Sequence, residues 1–284
     1  MTANAVIDIT GNHFLLAKKG SNAIRISNFR NVSGVTFNVN NNEYTYANDS
    51  DESQYEGFIL LEDYSPKGDT VQDFSGITIN INNLTSPSNA KQLFYVYDDQ
   101  DGIIAKNQPI VKGDSSIAKF FSARIGDTYY ASLANAVAAA NNSEVTLLKD
   151  VTLNSSLTVD KKMTLDLGGH TWKATGVKAV YVAGNGDLTL QNGTLESVDI
   201  ATNLCVAQVD CTATTVAGDA KLTIAKDMTV RTNQGCGIAL FGSNSQYKAT
   251  LSVAGKVYGG NQAVSGNGSW SNTDITIEDS AVLT

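Results

Sequence analysis

Proline is nearly missing from this chain: there are three, all before residue 122. Histidine is scarcer still, at two, and arginine occurs only as Arg25, Arg30, Arg124 and Arg231. Charged residues are 17% of the 284, and 28 acidic against 20 basic side chains leave a net charge of -8. That excess argues against a nucleic-acid binder, which needs a cationic face to release counterions. With 42% hydrophobic residues the chain is too apolar and too weakly charged for disorder. No apolar run approaches the roughly 18 residues of a membrane helix, so no membrane span is expected. The start, Met1-Thr2-Ala3-Asn4-Ala5-Val6, has no basic region followed by an apolar one, so no secretory signal is expected there. That leads to the expectation of a virion protein or a piece of a longer chain.

Cysteine is also sparse. Cys205, Cys211 and Cys236 are an odd number, with no CxxC and no Cys/His cluster. Buried free thiols are the simpler reading, with a Cys205–Cys211 bridge as the alternative.

What the chain does have is Gly, Asn, Thr and Val. Gly and Asn tolerate turns and left-handed backbone, and Thr and Val favour strands. Together they read as many short strands joined by tight turns. The side-chain stock changes midway. Eight of nine Phe and all Pro precede residue 122, while all Cys and both Trp follow it. A module boundary is therefore expected near Ser122–Asp127, giving modules 1–122 and 123–284.

The first module repeats at an offset of 42 residues. Val35-Thr36-Phe37-Asn38-Val39-Asn40-Asn41 matches Ile77-Thr78-Ile79-Asn80-Ile81-Asn82-Asn83. Each copy alternates apolar and polar like a half-buried strand, then ends in an Asn-Asn turn signal. Stacked β-helix-like coils fit this period, and a β-sandwich with two similar hairpins is the competing reading. The second module repeats more often. Met163-Thr164-Leu165, Leu188-Thr189-Leu190, Leu222-Thr223-Ile224, Leu251-Ser252-Val253 and Ile275-Thr276-Ile277 share an apolar–hydroxyl–apolar pattern. Coils stacked at about 4.8 Å would turn such positions into inward aliphatic ladders, with polar residues outside. One helix is expected, with Tyr130, Leu133, Val137 and Ala140 on one face, Asp127 or Thr128 as its cap and Asn141-Asn142 at its end. It reads as a lid over the first coil, because a solenoid exposes its core at each end.

From Ile125 to Ser197 the chain resembles the pectin-lyase-like, right-handed parallel β-helix modules of bacterial surface proteins and phage virion proteins. The residues that carry this are Ile125-Gly126-Asp127-Thr128-Tyr129-Tyr130-Ala131-Ser132-Leu133, Val145-Thr146-Leu147-Leu148-Lys149-Asp150-Val151-Thr152-Leu153 and Met163-Thr164-Leu165-Asp166-Leu167-Gly168-Gly169-His170-Thr171-Trp172. The resemblance implies an all-β fold for about residues 123–284, with a capping helix followed by the β-helix. It covers the first module only in general character. It also implies that His170 is a corner residue satisfying backbone groups.

Such modules serve as adhesins, spacers, fibres and polysaccharide-cleaving enzymes, so function must come from residues. A glycosidase needs two suitably spaced carboxylates. Asp166 and Asp187 are one repeat apart and could stack, as could Asp199 and Asp210, but none of them forms a recognisable motif. Arg231 is the one arginine past the junction, and it sits among ordinary outward strand residues. Asp98, Asp99 and Asp101 beside Gly102 offer hard oxygen ligands for Ca²⁺, with a solvated acidic turn as the simpler reading. The run Asp49-Ser50-Asp51-Glu52 reads as a solvated loop. Tyr44, Tyr46, Tyr55 and Tyr64 flank it and could stack on sugars, with ordinary strand tyrosines as the alternative.

The expectation is a non-catalytic structural or adhesive protein, extracellular, on a bacterial surface or a phage particle, with a glycan or protein receptor. The alternatives are a polysaccharide-degrading lyase or tailspike-type glycosidase, and a spacer that binds nothing. The repeat runs to Thr284 without a visible cap, so a longer chain or a homo-oligomer, a trimer by family habit, is expected to cover that end.

Overall fold

The structure is a computed structural model. It describes residues 4–17, 21–27, 33–47, 57–63, 74–98, 108–212, 217–242, 246–267 and 272–284. The chain is mostly β with long parallel sheets, and it forms two compact units: residues 1–121 with 127–129, and residues 122–126 with 130–284.

In the first unit the described strands are Val6–Thr10 (β1), His13–Leu16 (β2), Ile24–Ser27 (β3), Val35–Asn40 (β4), Glu43–Tyr46 (β5), Ile59–Asp63 (β6), Ile77–Ile81 (β7), Phe94–Asp98 (β8) and Ile110–Gly113 (β9). β1, β4, β7 and β9 pair side by side in parallel, β2 pairs with β5, and β3, β6 and β8 form a third parallel sheet. Each strand therefore pairs with one a whole repeat away, not with its neighbour in sequence. The 42-residue repeat appears as register: Val35 lies beside Ile77, Thr36 beside Thr78 and Asn38 beside Asn80. Alternation sends Val35, Phe37, Val39 and Ile77, Ile79, Ile81 inward, all buried. Asn41 and Asn83 close the two strands with left-handed backbone at φ 55° and 54°. An Asn side chain adopts that conformation more readily than most residues.

The second unit begins with Ala123–Ile125 (β10), which runs antiparallel to β12 (Glu144–Leu147). In Thr128–Tyr130 (β11), Thr128 and Tyr129 belong to the first unit, where they pair antiparallel with Lys112 and Val111 of β9. After β12 the strands are Val151–Leu153 (β13), Leu157–Val159 (β14), Lys162–Asp166 (β15), Thr171–Thr175 (β16), Val180–Val182 (β17), Asp187–Gln191 (β18), Gly193–Val198 (β19) and Cys205–Asp210 (β20). They continue with Ala220–Ile224 (β21), Met228–Arg231 (β22), Cys236–Phe241 (β23), Ala249–Val253 (β24), Lys256–Tyr258 (β25), Gln262–Asn267 (β26), Thr273–Ile277 (β27) and Val282–Leu283 (β28). From β12 on, every third strand enters the same sheet: β12-β15-β18-β21-β24-β27, β13-β16-β19-β22-β25-β28 and β14-β17-β20-β23-β26. This is a β-helix-like arrangement of three parallel sheets.

Its core is a set of columns. Leu165, Leu190, Ile224, Val253 and Ile277 follow one another in register, as do Met163, Leu188, Leu222, Leu251 and Ile275. Fully burying each such side chain stabilises by about 1.5–3 kcal/mol. Between these columns, facing out, lie Thr164, Thr189, Thr223, Ser252 and Thr276. The columns weaken at the last coil, where Ile275, Ile277, Val282 and Leu283 are 40–43% exposed. Gly168 shows why a corner needs glycine: its φ is +58°, and a Cβ there would lie 2.7 Å from the Leu147 carbonyl oxygen.

The helix is shorter than the sequence predicts. It spans Leu133–Ala139 (α1), and its cap is Ser132, not Asp127 or Thr128. The Ser132 hydroxyl accepts from the Asn135 N–H at 3.2 Å. Thr128 pairs with Lys112 in β11 and Tyr130 ends that strand, so neither is available to the helix. Leu133, Ala136 and Val137 bury their side chains in the core, with α1 packed on β10, β12 and β14, the opening strands of the unit.

Candidate functional site

The outward face of β4 and β7 carries amides where most sheets carry mixed polar residues. Alternation on β4 turns Asn38 and Asn40 outward, and on β7 the same rule turns Asn80 outward, with Asn82 just beyond the strand. Parallel register stacks them. Asn38 donates to Asp8 Oδ1 at 2.7 Å, and Asn80 donates to Asn38 Oδ1 at 2.9 Å. Alongside, Asn82 donates to Asn40 Oδ1 at 2.9 Å, and its backbone N–H reaches the same oxygen at 3.0 Å. On the next strand Lys112 lies beside Asn80, and its Nζ is 3.7 Å from Asp127 Oδ1.

Asn38, Asn40, Asn80, Asn82, Lys112, Gly113 and Asp127 line a groove of about 210 Å³. That is below the roughly 300–1,000 Å³ of enclosed small-molecule pockets, and the lining is polar. A primary amide has two N–H donors and two acceptor lone pairs. Asn38, Asn80 and Asn82 each spend one donor, Asn40 only accepts, and among the described residues the Asn80 and Asn82 side-chain oxygens accept no bond. The ladder thus fixes the amides and leaves hydrogen-bonding capacity open to solvent. Among the lining residues Lys112 and Asp127 offset each other's charge, and the Asp8 carboxylate at the end of the Asn38 row is capped by the Asn38 amide.

A second polar cluster, on β17 and β20, is closed. The Asp210 carboxylate accepts from Tyr181 Oη at 3.1 Å, Gln208 Nε2 at 3.1 Å, the Thr212 hydroxyl at 2.6 Å and the Thr212 N–H at 2.8 Å. Lys178 pairs with Gln208 and lies over the Tyr181 ring. Burial, and then the Asp210 charge and hydrogen bond, push the Tyr181 phenol up to about 12. With its acceptor sites filled, Asp210 is a structural hub, not an open ligand.

The sequence candidates fare unevenly. Tyr44 is fully buried, stacked on Phe58 at 4.9 Å between ring centres and edge-on to Tyr46 at 6.0 Å. Its ring belongs to the core, so it offers no face to a sugar; burial and the adjacent Tyr46 phenol raise its pKa above the usual tyrosine range. Tyr46 is half-buried beside it. Tyr55, Tyr64, Asp99, Asp101 and the run 49–52 lie outside the described residues, and of Asp98 only the backbone, ending β8, is described. Asp166 and Asp187 do not stack. Asp187 sits in register between Lys162 and Lys221, while Asp166 lies beside Gln191 and accepts from it at 3.3 Å, from Asn192 at 3.1 Å and from the Gly168 N–H at 2.8 Å. Asp199 occupies a left-handed turn position and Asp210 a strand end, so that pair does not form either. Arg231 faces Glu196 across β19 and β22 at 3.3 Å, an ordinary cross-strand pair. His170 holds a corner: its N–H donates to the Leu167 carbonyl, its carbonyl accepts from Thr194, and its ring lies 3.5 Å from Asp150.

The amide groove was missed in sequence, although its signal was present: the 42-residue repeat stacks Asn38 with Asn80 and Asn40 with Asn82. Comparison with protein-family models, with curated proteins and with solved structures finds no match to this chain.

Proposed function

We propose that this chain is a non-catalytic structural and adhesive protein that binds a neutral, hydroxyl-rich glycan along the amide groove. The carrying observation is the ladder of Asn38, Asn80, Asn40 and Asn82, locked by its own hydrogen bonds yet retaining free acceptors. Sugar hydroxyls both donate and accept, as primary amides do, and a rigid groove costs little entropy to occupy. The balanced Lys112–Asp127 pair favours an uncharged ligand over a phosphate or a polyuronate.

The same proposal makes about residues 123–284 a closed, right-handed parallel β-helix. It is supported by the three-sheet strand order and by the strong preference of parallel β crossovers for the right hand. Placement on a bacterial surface or virion rests on the family resemblance. The exposed Ile275, Ile277, Val282 and Leu283 support association through the last coil.

The test is binding of the purified chain to a glycan array, beside an Asn80→Ala/Asn82→Ala variant. The expected result is retention of neutral glycans by the parent and a loss of about tenfold or more in the variant, since each lost hydrogen bond is worth about 0.5–1.5 kcal/mol. Equal binding by both proteins, or none by the parent, would overturn the proposal.

A further inference from the structure

Cys205 opens β20 and Cys236 opens β23, and these two strands are parallel neighbours with Cys205 directly opposite Cys236. In a parallel pair, opposed side chains point to the same side, about 4.8 Å apart at the backbone. Disulfides span Cα separations of 4.4–6.8 Å, so this register meets the distance requirement. The backbone there is held tightly. The Cys236 N–H donates to the Leu204 carbonyl at 3.0 Å, and a Cβ on Gly235 would come within 2.2 Å of that carbonyl oxygen. The facing Cys236 thiol and burial hold the Cys205 thiol protonated, whereas the facing Cys205 thiol lowers the Cys236 pKa. Cys205 is buried and Cys236 is partly exposed, so one thiol is reachable from solvent and the other waits behind it.

Cys211 is excluded from this pair. It lies six residues beyond Cys205, past the far end of β20 and about 20 Å away along an extended chain. Its thiol donates instead to the Tyr247 carbonyl at 3.2 Å. The Cys205–Cys211 bridge considered from the sequence therefore does not fit.

We propose that Cys205 and Cys236 are a dithiol site that a small-molecule disulfide oxidises to a bridge between adjacent coils. The Cys236 thiolate attacks one sulfur of the oxidant and expels a thiolate, leaving a mixed disulfide. The Cys205 sulfur then attacks Cys236 Sγ, and the second thiolate leaves with the Cys205 proton. Two protein thiols are oxidised and one small disulfide is reduced to two thiols. The exposed thiolate initiates and the buried thiol resolves, which matches their accessibility.

The experiment treats the intact chain with oxidised glutathione, then counts free thiols and maps peptides without reduction. The expected result is a fall from three thiols to one, a Cys205–Cys236 cross-linked peptide and full reversal by dithiothreitol; a Cys211→Ser variant should fall from two thiols to none. Three persisting thiols, a stable glutathione adduct on Cys236 without bridging, or a cross-link that includes Cys211 would each overturn the assignment.

Discussion

One core column supplies its own control. Ile224 and Ile277 occupy the same column, separated only by Val253, and both can be cut to alanine. Ile224 is fully buried, with Leu190 on one side and Val253 on the other, whereas Ile277 is 43% exposed. Removing three carbons forfeits about 2.4 kcal/mol of transfer free energy when burial is complete, at about 0.8 kcal/mol each. At Ile224 the void is closed on both sides, and the cavity raises the cost to about 3–5 kcal/mol. At Ile277 only a little over half of the transfer applies and no closed cavity forms, so the cost is about 1–1.5 kcal/mol. Urea unfolding followed by circular dichroism measures both variants against the parent. The expected outcome is a midpoint shift for Ile224→Ala about two to five times that for Ile277→Ala, with similar slopes. Equal shifts would refute the reasoning, because they would mean that the last coil is as well packed as the interior.

Three further outcomes follow from named contacts. Ser132→Ala removes the cap of α1 and should cost about 1 kcal/mol in the same unfolding assay, with Asp127→Ala and Thr128→Ala leaving the helix start intact. Tyr181 is pushed up to about 12 in the fold against 10 when unfolded, so its neutral form stabilises fully below pH 10 and that contribution fades as pH rises to 12; ultraviolet titration should show Tyr181 among the late-ionising tyrosines, and Asp210→Asn should bring that one down by removing the facing charge while the buried Tyr44 stays late. Closing a bridge between residues 205 and 236 constrains a 31-residue loop of the unfolded chain, so oxidised protein should gain about 3–4 kcal/mol over reduced protein, read as a higher melting temperature.

The parallel three-sheet order was legible because its physics is periodic. Inward positions must be aliphatic at every coil, so Leu188-Thr189-Leu190 and Leu222-Thr223-Ile224 announce themselves even when the turns between them vary in length. Helix boundaries were less legible: Tyr130 satisfies the helical spacing but serves a strand, and only the Ser132 hydroxyl fixes the start. Surface sites were least legible. The Asn38–Asn80 stack and the Cys205–Cys236 pair depend on register between residues 42 and 31 positions apart, which local pattern alone does not align. Tyr44 illustrates the opposite error, since an aromatic residue beside polar neighbours is here a core residue packed on Phe58.

The central claim concerns four side-chain amides, and they can be observed directly. Titrating ¹⁵N-labelled protein with the best array glycan should shift the Nδ2 resonances of Asn38, Asn40, Asn80 and Asn82 together, along one saturating curve. The amides of Asn192 and Asn272, which bond Asp166 and the Tyr247 carbonyl in the other unit, should stay in place. Shifts confined to other residues, or none at saturating glycan, would contradict the account.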